Sequence, residues 1–311
     1  MRAVWLKEFG GPEVLLAGEA PDPVPGDGEA LIAVDYVNTT FVETQVRAGT
    51  GPFPVELPMI PGNGVGGVVR AGPPEWVGKR VVSSLRGSGG YAELAVAPVS
   101  NLVEIPDGAA TDAAVAVLAD GRTATMLLRA AGLRKWDTVL VEAAAGGVGG
   151  ALVQLAVAEC LTVIALAGGP EKVELARGLG AQFAIDYRRD DWPDRVYDAT
   201  FRVDAVFDGV GGTVGRQAFE LLGKGGRMVS FGLASGSWTD TSDAEARGVT
   251  VVDVPRPDAA GLRELVGSAL STVASGVLRP VIGQRFPLEK AADAHAAIES
   301  RAAVGKTLLV P

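Results

Sequence analysis

The rhythm of hydrophobic and polar positions changes near residue 111. Before it, apolar residues come in short runs at 30–34, 67–69, 80–84 and 94–96, separated by Gly/Pro-dense segments such as 21–28 and 58–67. Proline pins φ and glycine supplies positive φ, so these segments predict turns between the strands of a compact, partly closed antiparallel β domain. After it, an alanine-rich helical stretch at 112–131 leads into continuous apolar runs at 138–141, 162–166, 183–185, 205–208, 227–231 and 249–252. Amphipathic stretches at 148–160, 170–179 and 214–222 lie between them. Fully apolar strands alternating with helices predict βαβ units and a parallel sheet covered on both faces. Six strands are the complement of a doubly wound dinucleotide-binding sheet. A helical run at 259–275 and strands at 280–286 and 306–310 are expected to return to the first domain. The fold class is therefore α/β. A Rossmann domain over 114–254 is expected inside a discontinuous β-rich domain over 1–113 and 255–311.

The first strand of the βαβ series runs into Glu142–Ala143–Ala144–Ala145–Gly146–Gly147–Val148–Gly149–Gly150 and then a helix. Gly146 and Gly149 occupy the second and third glycine places of a GxGxxG turn, and Ala144 the first. A pyrophosphate needs bare backbone N–H groups at a helix N-terminus, which a side chain at position 146 would screen. Strand before, helix after and a βαβ series beyond supply the context that makes the motif specific.

Charge then argues which dinucleotide. An NAD site places Asp or Glu about twenty residues on, to accept from the ribose hydroxyl. Here the second strand ends Leu166–Ala167–Gly168–Gly169–Pro170, with no carboxylate before Glu171. Small residues leave room for a 2′-phosphate, with Lys172 one turn on and Tyr187, Arg188 and Arg189 after the third strand. A phosphate carries about two negative charges, so cations there predict NADPH. Solvated positions are the other reading of Lys172, Arg188 and Arg189.

With 311 residues, 48% hydrophobic and 21% charged, the chain can fill two cores. Its net charge of −9 argues against a nucleic-acid partner. No apolar run reaches the roughly 18 residues of a membrane span, and the N-terminus lacks a signal-peptide core. The sequence has one Cys and one His. A disulfide within the chain is thereby excluded, no zinc site of the usual kind is expected, and a cytoplasmic location is expected. Cys160, closing the apolar stretch 151–160, is expected to be a buried, inert thiol. His295, in the alanine-rich stretch 290–298, is expected on a helix surface or packed.

Several segments together carry a resemblance over the whole chain. They are Gly-Gly-Pro-Glu-Val-Leu at 10–15, Phe-Val-Glu-Thr-Gln-Val-Arg-Ala-Gly at 41–49, the turn at 143–149, Val-Ser-Phe-Gly at 229–232, and Glu-Ser-Arg at 299–301 with Gly305–Lys306 and the ending Leu-Leu-Val-Pro. In order and spacing the chain resembles the zinc-free, ζ-crystallin-like quinone oxidoreductases of the medium-chain dehydrogenase/reductase superfamily. The resemblance implies NADPH-dependent reduction of quinones or α,β-unsaturated carbonyls. It also implies a homodimer, and a substrate cleft between a chaperonin-10-like β domain and a Rossmann domain. It places 2′-phosphate contacts on Gly168, Lys172, Tyr187 and Arg301, and the nicotinamide end beside Thr123, Ser230, Phe231 and Gly232. The loop 208–212, with Gly209, would lie alongside. The sequence departs from the family where zinc-dependent relatives carry His-Glu after Pro-Gly: here Asn63–Gly64 follow Pro61–Gly62. Thr40 stands for the family's Asn, Glu43 for its Asp and Gln45 for its Tyr.

Metal-free hydride transfer to an enone or quinone needs hydrogen-bond donors on the developing oxyanion, worth about 3–4 kcal/mol each when preorganised. Thr40 and Gln45 are the candidates, with water as the final proton source; turn hydrogen bonding is their alternative role. Glu43 is expected to pair with Arg47 at i,i+4 spacing. Tyr91 is a strand aromatic that either lines the cleft or packs. Three functions stay open: a quinone or enone reductase, an enoyl reductase on a biosynthetic intermediate, and an NADPH-binding protein without turnover. NADPH is expected to bind at least about tenfold tighter than NADH, and Lys172→Ala to narrow the gap; equal affinities by fluorescence titration would remove the phosphate-pocket argument. Activity is expected to persist in chelator, and a loss restored by added zinc would refute a metal-free site.

Overall fold

A computed structural model describes residues 1–301 and 303–311. The chain divides into a β-rich unit of Met1–Arg122, Asp258–Gly276 and Pro280–Pro311, and a second unit of Thr123–Pro257 with Val277–Arg279.

The β-rich unit opens with a hairpin of β1 (Arg2–Leu6) and β2 (Leu15–Glu19). It continues through β3 (Glu29–Thr39), α1 (Phe41–Ala48), β4 (Gly64–Ala71), β5 (Arg80–Ser84), β6 (Leu94–Pro98) and β7 (Leu102–Glu104), and passes into α2 (Thr111–Ala131). The long β3 organises its sheet. One edge pairs along its length with β4, while β6 takes Glu29–Ala33 of the other edge. The hydrophobic pattern predicted no helix at α1. Its signals are chemical instead: Thr40 and Glu43 stand at capping-box spacing, and Gly49 closes the helix at φ 76°.

The second unit runs β8 (Thr138–Val141), α3 (Gly147–Ala158), β9 (Thr162–Ala167), α4 (Pro170–Gly178), β10 (Phe183–Asp186), α5 (Trp192–Ala199), β11 (Val203–Asp208), α6 (Gly212–Glu220), β12 (Leu222–Ser230), α7 (Ala244–Arg247) and β13 (Thr250–Val251). The strands form one parallel sheet in the order β10-β9-β8-β11-β12-β13, the expected doubly wound Rossmann arrangement. Leu140, Ile164, Val206 and Met228 fill its core against Trp192 and Phe219. The helix α5 was not legible from periodicity, because charged residues dominate 188–198.

The chain then returns to the β-rich unit with α8 (Ala259–Ala274), β14 (Ile282–Pro287), α9 (Ala291–Glu299) and β15 (Lys306–Val310). β15 pairs with β3 at Val37–Thr39, completing the edge that β6 leaves free.

Cys160, Tyr91 and His295 do not all end where the sequence placed them. Cys160 is exposed, not buried. The helix α3 ends before it, and at φ 61° Cys160 turns the chain into β9, which directs its side chain outward. Tyr91 and His295 are both fully buried and meet at 2.7 Å between the phenol oxygen and Nε2. Burial, with Arg47 as a second contributor, lowers the His295 pKa to about 3, so the ring is neutral at working pH. Both therefore serve packing. Tyr91→Phe leaves Nε2 without its partner in a dry core. Urea unfolding is expected to show a loss of about 1–3 kcal/mol, and an unchanged stability would mean that the pair holds nothing.

Candidate functional site

The predicted cofactor residues of the Rossmann unit gather at the carboxyl ends of the parallel strands, where doubly wound sheets bind ligands. β8 and α3 are joined by the bend 142–146. Ala143 takes a left-handed φ of 49°, and the Gly146 N–H donates back to its carbonyl at 2.8 Å. Ala144 is buried, its N–H bonded to the Leu166 carbonyl at 3.0 Å. Gly146 caps α3 in an extended conformation. The N–H groups of Gly147, Val148 and Gly149 fall in the first turn, where no intrahelical acceptor exists. A Cβ at Gly149 would collide with the Ala143 carbonyl oxygen, so only glycine lets α3 start this close to β8. This open row of N–H groups at a helix N-terminus fits a pyrophosphate.

At the end of β9, Gly168 and Gly169 turn the chain into α4. A Cβ on Gly168 would come within 3.0 Å of the Tyr187 hydroxyl, which places that phenol over the turn. Gly169 sits at φ 100°, and any side chain there would run into the Arg188 guanidinium. Lys172 follows in the first turns of α4. Asp186, which sequence reasoning passed over, ties the corner together. One oxygen accepts the N–H groups of Gly169 at 2.9 Å and Arg188 at 3.0 Å. Burial raises its pKa, but these bonds and the Arg188 charge outweigh that and hold the carboxyl below its ordinary value. Arg189 is paired with Asp191 at 2.9 Å.

Gly209, Ser230, Phe231 and Gly232 meet at the ends of β11 and β12. The Phe231 N–H donates to the Asp208 carbonyl at 2.9 Å, and its ring covers Gly209 closely enough that a Cβ there would lie 2.7 Å away. Ser230 turns its hydroxyl onto the Asp208 carboxylate at 2.9 Å. Thr123, on α2, is the first residue of the Rossmann unit.

Thr40, Gln45 and Arg301 belong to the β-rich unit. Thr40 begins α1, and both its backbone N–H, at 2.8 Å, and its hydroxyl donate to the Glu43 carboxylate. Glu43 is buried, and burial pushes its carboxyl above the ordinary range despite the Thr40 bonds and the Lys306 charge. The expected Glu43–Arg47 pair does not form. Glu43 reaches back to cap its own helix, and the buried Arg47 guanidinium turns to Glu299 on α9. Gln45 is half-buried on α1, and Arg301 is exposed at φ 58° just past α9.

Sequence reasoning also missed a pair. Glu142 and Asp208 close two apolar strands, and both are fully buried. An acidic residue directly ending each of two such strands was the available signal. Among the described residues, no group of three or more His, Cys, Asp or Glu is placed to hold a metal ion. No described helix is long and apolar enough to cross a membrane.

The comparisons agree with this geometry. Residues 26–107 match the alcohol dehydrogenase GroES-like domain, and residues 179–309 the domain described as zinc-binding dehydrogenase. The quinone oxidoreductase of Pseudomonas aeruginosa is 33% identical over 100% of this chain and 99% of its own length. The human quinone oxidoreductase is 32% identical over 100% and 98%. The crystal structure of Escherichia coli quinone oxidoreductase complexed with NADPH superposes with a TM-score of 0.90 at 30% identity, covering 100% of both chains. Fold, cofactor turn and full-length similarity coincide, and the chain belongs to the zinc-free quinone oxidoreductases of the medium-chain dehydrogenase/reductase superfamily.

Proposed function

We propose that this chain is an NADPH-dependent reductase of quinones that also accepts α,β-unsaturated carbonyls, working without a metal. The observation that carries the reading is the open row of N–H groups heading α3, with the Gly168–Tyr187–Arg188 corner at the end of the neighbouring strand. Ala144, Gly146, Gly147 and Val148 would hold the pyrophosphate, and Gly168, Lys172, Tyr187 and Arg188 the 2′-phosphate. Gly209, Ser230, Phe231 and Gly232 would hold the nicotinamide end, with Thr123. Bound NADPH supplies a hydride.

The remaining work belongs to the chain's own groups. An oxygen that gains charge during reduction needs donors, and Thr40 and Gln45 are proposed to provide them. The Thr40 hydroxyl is held by Glu43 while that carboxyl is ionised. Burial raises the Glu43 carboxyl above its ordinary value, and rotation of the Thr40 hydroxyl away from it would turn the Thr40 proton toward substrate. Water is the final proton source. A homodimer is part of the same reading: β13 is the outer strand of the Rossmann sheet and exposes Val251. A cytoplasmic location suits a chain whose one cysteine is an exposed free thiol.

A panel of 1,4-benzoquinone, naphthoquinone, 2-alkenals and acyl-thioesters, followed by stopped-flow NADPH oxidation, tests the substrate class. Turnover confined to acyl-thioesters would replace this reading with an enoyl reductase. Thr40→Val is expected to lower kcat/KM for quinone about tenfold or more while leaving the NADPH Kd unchanged. An unaltered kcat/KM would remove Thr40 from the site.

A further inference from the structure

β8 and β11 are parallel neighbours whose last register pair is Val141 and Phe207. The next residue on each is acidic: Asp208 ends β11 in register with Ser230 of β12, while Glu142 lies just past β8, its N–H extending the ladder to the Phe207 carbonyl at 3.0 Å. Neither side chain reaches solvent. Their hydrogen bonds differ in kind. Asp208 takes three donors: the Gly211 N–H at 2.7 Å on one oxygen, and the hydroxyls of Ser230 at 2.9 Å and Thr239 at 2.8 Å on the other. Glu142 takes the Val210 N–H at 3.0 Å on Oε2, and its buried Oε1 has no donor. Among the described residues no lysine or arginine forms an ion pair with either.

Two adjacent carboxyl groups cut off from water cannot both ionise. The one with three donors is the better anion, so the proton belongs on Glu142, where it fills the vacancy at Oε1. We propose that Glu142 is a positioning residue: it shares its proton with Asp208 and thereby latches the 208–212 loop and Ser230 in place for the nicotinamide end of the cofactor. Burial first, and then the Asp208 charge, push the Glu142 carboxyl well above its ordinary value, against the opposing pull of the Val210 and Gly209 N–H groups. Asp208 is the titratable group facing Glu142 from β11; the 209–212 loop faces it with backbone alone.

The latch has two anchors on one loop. Glu142 holds Val210, Asp208 holds Gly211, and the shared proton joins the anchors. The same Asp208 oxygen that holds Ser230 also holds Thr239, so the segment after β12 is drawn into the unit. The role in positioning rests on the NADPH reading above; the shared proton does not.

The test runs thermal unfolding of the cofactor-free protein from pH 5 to 9, and NADPH titration at pH 7, on wild type, Glu142→Gln, Glu142→Ala and Asp208→Asn. The folded wild type keeps a proton that the unfolded chain releases above the ordinary carboxyl range, so its stability falls as pH rises toward the folded value. Glu142→Gln carries a permanent donor in place of that proton. Its unfolding temperature is therefore expected to gain on wild type steadily with pH, and Asp208→Asn, which removes the neighbouring charge, to flatten the wild-type slope. At pH 7, Glu142→Gln is expected to keep the NADPH Kd within about twofold, and Glu142→Ala to weaken it about tenfold. An unfolding difference independent of pH overturns the shared proton. Wild-type affinity in Glu142→Ala overturns the positioning role. Failure of wild type to bind NADPH at all sinks the cofactor reading and the role with it, while the unfolding series still decides the proton.

Discussion

Backbone N–H groups at the head of α3 are the constraint around which the Rossmann unit is arranged. A helix start leaves such groups without acceptors, and they can serve a diphosphate only if no side chain covers them. That requirement is met by small residues at 144, 146 and 149 and by the left-handed turn at Ala143. It also depends on the sheet order. β8 lies between β9 and β11, at the point where the strand order reverses, so both neighbours deliver their carboxyl ends to the same edge. β9 brings the Gly168–Gly169 turn, and β11 brings Asp208 and its loop.

The polar groups buried in each unit do different work. In the Rossmann unit, the half-buried Asp186 and the buried Asp208 accept backbone N–H groups from the turns beside them and so fix loop shape. In the β-rich unit, buried polar groups join segments far apart in sequence. Tyr91 meets His295, Arg47 meets Glu299, and Lys306 meets Asp120 at 3.1 Å. Each pair ties the returning segment to the first part of the chain, alongside the pairing of β15 with β3. Removing one partner would leave a buried group unsatisfied, which costs more than the bond itself contributes. The discontinuous unit is thus held by polar contacts as well as by its apolar core.

The α1 segment shows why the two kinds of information differ. Its spacing puts Glu43 and Arg47 at i,i+4, where they are expected to pair. In the fold, Arg47 lies against α9 and finds Glu299, which leaves Glu43 to cap the helix through Thr40. Local spacing ranked the nearer partner first; packing supplied a better one 252 residues away.

Much here was legible from residue order alone. The parallel sheet followed from apolar runs long enough to be covered on both faces, and the cofactor turn from glycines whose spacing suits one local geometry. The absence of a carboxylate at the end of β9 pointed to NADPH, while the Tyr187 hydroxyl over Gly168 appears only in the fold. These are short-range matters, settled within a strand, a turn and the next helix. Which side chains would face each other across strands was not written in that order. Cys160 moved from interior to surface because a helix ended two residues early, and Glu142 met Asp208 because β8 lies beside β11 rather than elsewhere in the sheet. Periodicity reports which face is dry, but the partner found on that face depends on register and strand order, which arise only when the whole sheet assembles.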